Sequence, residues 1–278
     1  MGEGSILSPR ERKLISPTDT FDRLRVADGQ ADRGVRVLPE ETPVAIVHDG
    51  ATYAVMMATP ADLEDFAIGF SLTEGVIASA DEVRGIEIVE SELGIEARLW
   101  LPPGRAAGLA ERRRTLAGPT GCGLCGIDNL ALVARPAARP PAQIGPLAGA
   151  DILAAMAAVE AAQGLGAQTH AVHAAGFWRP GEGLVLLRED VGRHNAVDKL
   201  AGAMARTGVD PAGVLVLTSR VSVELVQKAA AMAIPVIAAV SAPTALALRT
   251  AEAAGITVIA IARADGFEVF TRPDRLRL

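Results

Sequence analysis

Cys122 and Cys125 stand three positions apart in Thr120-Gly-Cys-Gly-Leu-Cys-Gly126, and the chain of 278 residues holds no other cysteine. A thiol acts as nucleophile, metal ligand or redox partner only where it is reachable and deprotonated. Gly121, Gly123 and Gly126 allow a sharp turn and leave little bulk over either sulfur, so the loop reads as built to expose its thiols. The bland alternative is a pair of small buried hydrophobes. Arg112, Arg113 and Arg114 precede the loop, and Ile127 to Val133 reads as a short helix after it. Positive charge and a helix N-terminus both favour thiolate over thiol, although an arginine run also serves as a plain solvated face.

Composition bounds what those sulfurs do. Half of the residues are apolar but only 3% are aromatic, an aliphatic excess that suits helices packed on a sheet. The length accommodates one large or two smaller domains, and two are expected. A formal net charge of −6 disfavours a broad phosphate-binding surface, so no nucleic-acid partner is expected. No run reaches the roughly 18 apolar residues of a membrane span, and MGEGSILSPRERKL at the N-terminus lacks an apolar signal core. The expected location is the cytoplasm, with no membrane partner. There a close cysteine pair is more often redox-active, metal-binding or catalytic than a structural bridge.

The elements that must position the chemistry follow from periodicity. Residues 1–39 mix Arg, Asp, Gly and Ser without a sustained period and read as a loosely ordered arm. An α+β domain is expected over 40–134. Its first strands lie in PVAIVHDGATYAVMMAT and meet at His48-Asp49-Gly50, which makes His48 a solvated turn residue. Thr59 and Pro60 read as N-cap and first position of a helix in which Leu63, Phe66, Ala67 and Phe70 share one face. Strands Gly85 to Val89 and Ile95 to Leu101 follow, and Pro136, Pro140, Pro141 and Pro146 mark a linker over 135–147.

The C-terminal domain, 148–278, alternates regularly. A helix from Asp151 to near Gly164 leads to strands at Thr169 to Trp178 and Leu184 to Leu187, then a helix His194 to Thr207. Strands Val214 to Leu217, Pro235 to Val240 and Ile256 to Ile261 are separated by helices Val221 to Ala233 and Pro243 to Ala254. Short apolar strands between helices imply a parallel, helix-covered sheet with ligands at the carboxyl strand ends. Three polar clusters fall there: Glu189-Asp-Val-Gly-Arg-His-Asn195 with Asp198 and Lys199; Thr218-Ser-Arg220 with Ser222, Glu224 and Lys228; and Ser241-Ala-Pro-Thr244. Ser241 and Thr244 also read as simple caps. Arginines, hydroxyls and helix N-termini on one crevice suit a phosphate-bearing, nucleotide-like ligand. There is no Walker loop or Rossmann glycine fingerprint. His170 and His173, in one strand, would point to opposite faces and make a poor metal pair; His173 is the better site candidate.

Taken together, Cys-Gly-Leu-Cys-Gly126, His173-Ala-Ala, Glu189 to Lys199, Ser219-Arg220 and Ser241-Ala-Pro-Thr244 resemble the formate dehydrogenase accessory sulfurtransferase family, FdhD, from about Pro43 to Thr271. The resemblance implies an α/β fold, α+β overall, with a cytidine-deaminase-like three-layer C-terminal domain. It implies a sulfur carrier that accepts sulfur from a cysteine desulfurase as a persulfide and passes it to the bis(molybdopterin guanine dinucleotide) molybdenum cofactor required by formate dehydrogenase. Cys122 corresponds to the persulfide cysteine and Cys125 to its neighbour. Ala260, Ile261, Ala262, Arg263, Ala264 and Asp265 correspond to the cofactor-binding segment, joined by His173, Arg193, His194, Asn195, Arg220, Ser241 and Thr244. A homodimer is implied, and no tightly bound metal of its own. The chain departs from the common pattern at Thr218-Ser-Arg220, at Ile261-Ala262 before Arg263, and at Phe270.

Other readings compete. A zinc deaminase needs a His-x-Glu element upstream of its cysteines, and only His48 precedes Cys122, followed by Asp-Gly. A thiol-disulfide oxidoreductase carries its motif right after a strand early in the fold, whereas this one follows a glycine- and proline-rich loop. A chaperone that delivers cofactor without moving sulfur is the third alternative.

Overall fold

The computed structural model describes residues 15–103 and 141–277. Strands β3 (Thr42–His48), β4 (Ala51–Ala58), β5 (Gly85–Ser91) and β6 (Gly94–Trp100) form a sheet in the order β4-β3-β6-β5. The β3–β4 turn is the expected Asp-Gly hairpin: Asp49 and Gly50 both have positive φ, 47° and 79°, the backbone that matches strand twist. Helix α1 (Leu63–Thr73) lays Phe66, Ala67 and Phe70 on Val44, Ile46, Ala97 and Leu99. Each such side chain fully buried contributes about 1.5–3 kcal/mol, so this face alone anchors the helix.

Three expectations for this region change. His48 is not a solvated turn residue; it ends β3 at 1% exposure. Its Nε2 lies 2.8 Å from Ser71 Oγ, and the Ser71 hydroxyl donates to Ala67 O. Nε2 is therefore the protonated nitrogen and donates to Ser71. Thr59 does not cap α1, which starts instead behind Asp62 with φ of 52°; Thr59 is buried for a different purpose, described below. Finally, residues 18–39 are no loose arm. They pair as β1 (Thr18–Ala27) and β2 (Gln30–Pro39), an antiparallel hairpin in unbroken register from Thr18↔Pro39 to Ala27↔Gln30. Most of its side chains are exposed on both faces, which removes the apolar alternation a sequence reading needs.

The C-terminal unit holds α2 (Gly149–Ala162), α3 (Gly164–Thr169), β8 (His173–Arg179), β9 (Gly183–Asp190), α4 (Arg193–Thr207), β10 (Val214–Leu217), α5 (Val223–Ala231), β11 (Val236–Ala239), α6 (Ala245–Ala254), β12 (Thr257–Arg263) and β13 (Gly266–Val269). The six-stranded order is β13-β12-β11-β10-β8-β9. Only β10, β11 and β12 run parallel; β8 is antiparallel to β10 and to β9, and β13 to β12. The sheet is thus mixed rather than parallel throughout. His170 is not in a strand at all: it closes α3 with φ of 54°. Leu215, Leu217, Ile237 and Val258 face α4, α5 and α6, while Val214, Val216, Val236 and Ile259 face α2. A sheet buried on both sides reads as continuous apolar runs, and the three layers are those of an α/β fold within an α+β whole. The last residues of the expected linker join this unit, Leu147 pairing through β7 (Leu147–Ala148) with β14 (Leu276–Arg277).

The two units meet where α1 crosses α4. A Cβ at Gly69 would run into the carbonyl of Asp198, and one at Gly202 into that of Asp65. Only glycine at both positions lets the backbones approach so closely.

Candidate functional site

Because β8 runs opposite to β10, its first residue shares an edge with the carboxyl ends of β9, β10, β11 and β12. His173, the start of α4, the loop after β10, the start of α6 and the end of β12 are thereby brought along one edge of the sheet. These are the elements on which the crevice is expected, and the strand pairings set them along that one edge.

The polar groups along this edge divide into those bound within the fold and those at the start of α4 and the neighbouring strand and helix ends. Asp190 belongs to the first kind. Its Oδ2 lies 2.7 Å from Lys199 Nζ and accepts from Thr59 N at 3.0 Å; its Oδ1 accepts from Gly192 N at 2.7 Å and Asn195 Nδ2 at 3.0 Å. Lys199 also donates to Thr59 O at 2.8 Å, and Thr59 Oγ1 accepts from Val191 N at 3.1 Å. Asn195, 3% exposed, spends its amide on Asp190 and on Met57 O, so it braces the site from behind. Glu189 caps α3 through Leu165 N and Gly166 N. Asp198 takes the buried Lys228 at 2.8 Å and Thr73 Oγ1 at 2.6 Å. Burial pushes the Asp198 carboxyl up against the pull of Lys228. At Lys228 burial acts downward, but Asp198 and Glu74 outweigh it and hold the ammonium high.

The second kind begins with Arg193, first residue of α4 behind an uncapped Gly192. Its Nε is buried with no hydrogen-bond partner among the described residues. A buried donor left unmade is costly, and a guanidinium at a helix N-terminus is where an anion would satisfy both. Arg220, Arg263, Ala264 and Asp265 are exposed and Ser241 is half-buried. Thr244 proves to be the cap of α6, its Oγ1 accepting from Ala247 N at 3.2 Å. His173 is half-buried; burial, then the charges of Arg193 and His194, hold its imidazole below the usual value, with Asp190 opposing. Ala260 and Ala262 are buried, and Ile261 between them has φ of 53°.

His194 has a partner that spacing does not reveal. Its Nε2 lies 2.7 Å from Glu224 Oε2 and 3.4 Å from Ser222 Oγ. Serine and carboxylate thus share one ring nitrogen. A nucleophilic relay needs them on opposite nitrogens, so this trio is no hydrolase triad. Ser222 and Glu224 come from the start of α5, and only the fold brings them to a residue of α4. Cys122, Cys125 and Arg112 to Arg114 lie outside the described residues. Among the described residues, no group of three or more His, Cys, Asp or Glu is placed to hold a metal ion, and no helix is long and apolar enough to cross a membrane.

The model of the FdhD/NarQ family matches residues 39–277. The chain belongs to that family. The match starts at the last residue of β2 and takes in the four-stranded and six-stranded sheets and the sheet edge described above. Among curated relatives, the sulfur carrier protein FdhD of Agrobacterium fabrum is 50% identical over 257 residues, covering 92% of this chain and 95% of the relative. That of Brucella abortus is 52% identical over 242 residues, covering 87% and 90%. Among solved structures, a putative formate dehydrogenase accessory protein from Desulfotalea psychrophila aligns with a TM-score of 0.72 at 27% identity, over 94% of this chain and 99% of that one.

Proposed function

We propose that this member of the FdhD/NarQ family is a sulfur carrier serving formate dehydrogenase. The names of relatives at about half identity support that role. The structural observation that carries the rest is Arg193, whose buried Nε, beside the strand ends, has no hydrogen-bond partner among the described residues. A guanidinium with an unspent Nε fits a phosphate of the bis(molybdopterin guanine dinucleotide) cofactor, which is the acceptor substrate in this reading. Arg193, Arg220 and Arg263 would meet its phosphates, with Ser241 and the segment Ala260 to Asp265 along the same edge. His173, its imidazole held below the usual value, and His194, oriented by Glu224, supply ring nitrogens for hydrogen bonding beside the arginines.

Cys122 is the carrier. Its thiolate attacks the outer sulfur of a persulfide on a cysteine desulfurase: the new S–S bond forms on Cys122, the donor S–S bond breaks, and the donor cysteine leaves as thiolate. Cys122 then carries the persulfide to the crevice, with Cys125 as the neighbouring thiol. The cycle takes place in the cytoplasm, in a homodimer of the chain.

The test is mass spectrometry of the full chain after anaerobic incubation with a cysteine desulfurase and cysteine. One added sulfur on Cys122, absent from Cys122→Ala, is the expected result. Full formate dehydrogenase activity in cells carrying only Cys122→Ala would leave a delivery chaperone as the better account.

A further inference from the structure

Strand β12 reaches the crevice through an irregularity. Its ladder with β13 pairs Ala260 with Glu268 and Arg263 with Gly266, which leaves Ile261 and Ala262 opposite Phe267 alone. This is a β-bulge, one extra residue in one strand. Ile261 sits in it with φ of 53°. Glycine adopts that left-handed backbone freely, whereas a β-branched residue does so only under strain. The bulge lies past the last rung that β12 shares with β11, Ala238↔Ile259.

Register shows what the strain accomplishes. Val258 faces the layer of α4, α5 and α6, and Ile259 faces α2. Strict alternation would send Arg263 to the side of Ile259, toward α2. The bulge cancels one step of that alternation. Arg263 is opposite Gly266, two positions from the Glu268 that opposes Ala260, so Arg263 shares the face of Ala260 and Val258. Phe267, opposite the bulge itself, packs with the α2 layer, as the same register requires. The face given to Arg263 is the one on which α4 and α5 begin, the helices entered at Arg193 and just after Arg220.

We propose that Ile261 is a positioning residue: its left-handed backbone turns Arg263 onto the crevice face, where it joins Arg193 and Arg220 on the phosphates of a guanine nucleotide group. The proposal rests on the crevice reading above and adds how one arginine comes to serve it. Backbone conformation at 261, not the isoleucine side chain, is what matters.

The experiment is calorimetric titration of the folded full-length chain with GDP. Arg263→Ala should weaken binding about tenfold, the loss expected for a charge-assisted hydrogen bond. Ile261→Pro fixes φ near −65° and should weaken it as much. Ile261→Asn and Ile261→Gly, both at ease in left-handed backbone, should each lose less than about threefold. Parent-like binding by the proline variant overturns the proposal. So does a loss in the asparagine and glycine variants equal to that of Arg263→Ala, a comparison that decides the matter alone if the proline variant does not fold. A parent chain that binds no GDP overturns the crevice reading itself, an outcome distinct from tight parent binding with no split among the Ile261 variants.

Discussion

Lys199 Nζ and Asp190 Oδ2 lie 2.7 Å apart with neither side chain exposed, and both grip the backbone of Thr59 from the other unit. A buried ion pair of this kind adds little net stability over apolar residues, but removing one partner strands a charge. Lys199→Met should therefore cost about 3–5 kcal/mol in urea unfolding. Adding Asp190→Asn to it removes the stranded charge but turns an amide NH2 toward the Thr59 N–H, and should restore only part of that loss. A double variant as unstable as the single would show that the loss comes mainly from Thr59 docking rather than from the stranded charge.

The crossing of α1 and α4 yields a steric prediction. At Gly69 and Gly202 an added methyl meets backbone, which cannot rotate away as a side chain can. Gly69→Ala or Gly202→Ala should destabilise by about 3 kcal/mol or more. Gly145→Ala, where nothing lies within 4 Å of the added carbon, should stay within about 0.5 kcal/mol. Thermal unfolding of the three variants is the measurement.

Which parts of the molecule are readable in advance follows from range. The Asp49-Gly50 turn, the α1 face of Phe66 and Phe70, and the alternation from β10 to β12 are local patterns, and the structure matches them. The partners of Thr59 and His194 lie far away in sequence, on other elements, beyond any periodicity. His48 reads as wet because a residue beside an Asp-Gly turn ordinarily is, and the packing of α1 and of the Tyr53 ring against it dries it. Glu189 to Lys199 stands out as a motif, yet Glu189, Asp190, Asn195, Asp198 and Lys199 bind their own protein. Within that run His194 turns its Nε2 to Glu224 of α5, and Arg193 keeps a buried Nε without a partner among the described residues, a distinction that contacts make and residue type does not.

His173 offers a titration. Burial first, then Arg193 and His194, keep its folded pKa below the ordinary 6.5, with Asp190 working the other way. Its neutral form is the one the fold accommodates, so its contribution is complete above 6.5 and is lost as pH falls through that value toward the folded pKa. Stability should accordingly rise with pH across that window, and less steeply in His173→Gln. Because Arg193 is the second cause, Arg193→Met should move the His173 resonance titration upward in NMR. An unchanged titration would mean that Arg193 has no part in it and that burial and His194 hold the imidazole down.

Arg193 itself supplies the sharpest contrast between fold and function. The buried Nε of its guanidinium costs desolvation that no acceptor among the described residues returns. Were it structural, Arg193→Met would weaken the fold. If it is kept for an anion, the methionine, apolar and of similar reach, should leave the thermal midpoint of the free chain equal or higher. GDP affinity should meanwhile fall about tenfold or more, as for loss of a charged hydrogen bond. Arg193→Lys should recover only part of it, since an ammonium cannot present two parallel donors to a phosphate. Stability and affinity thus move in opposite directions in the methionine variant. Parallel losses would return Arg193 to the scaffold and leave the crevice without its main anion contact.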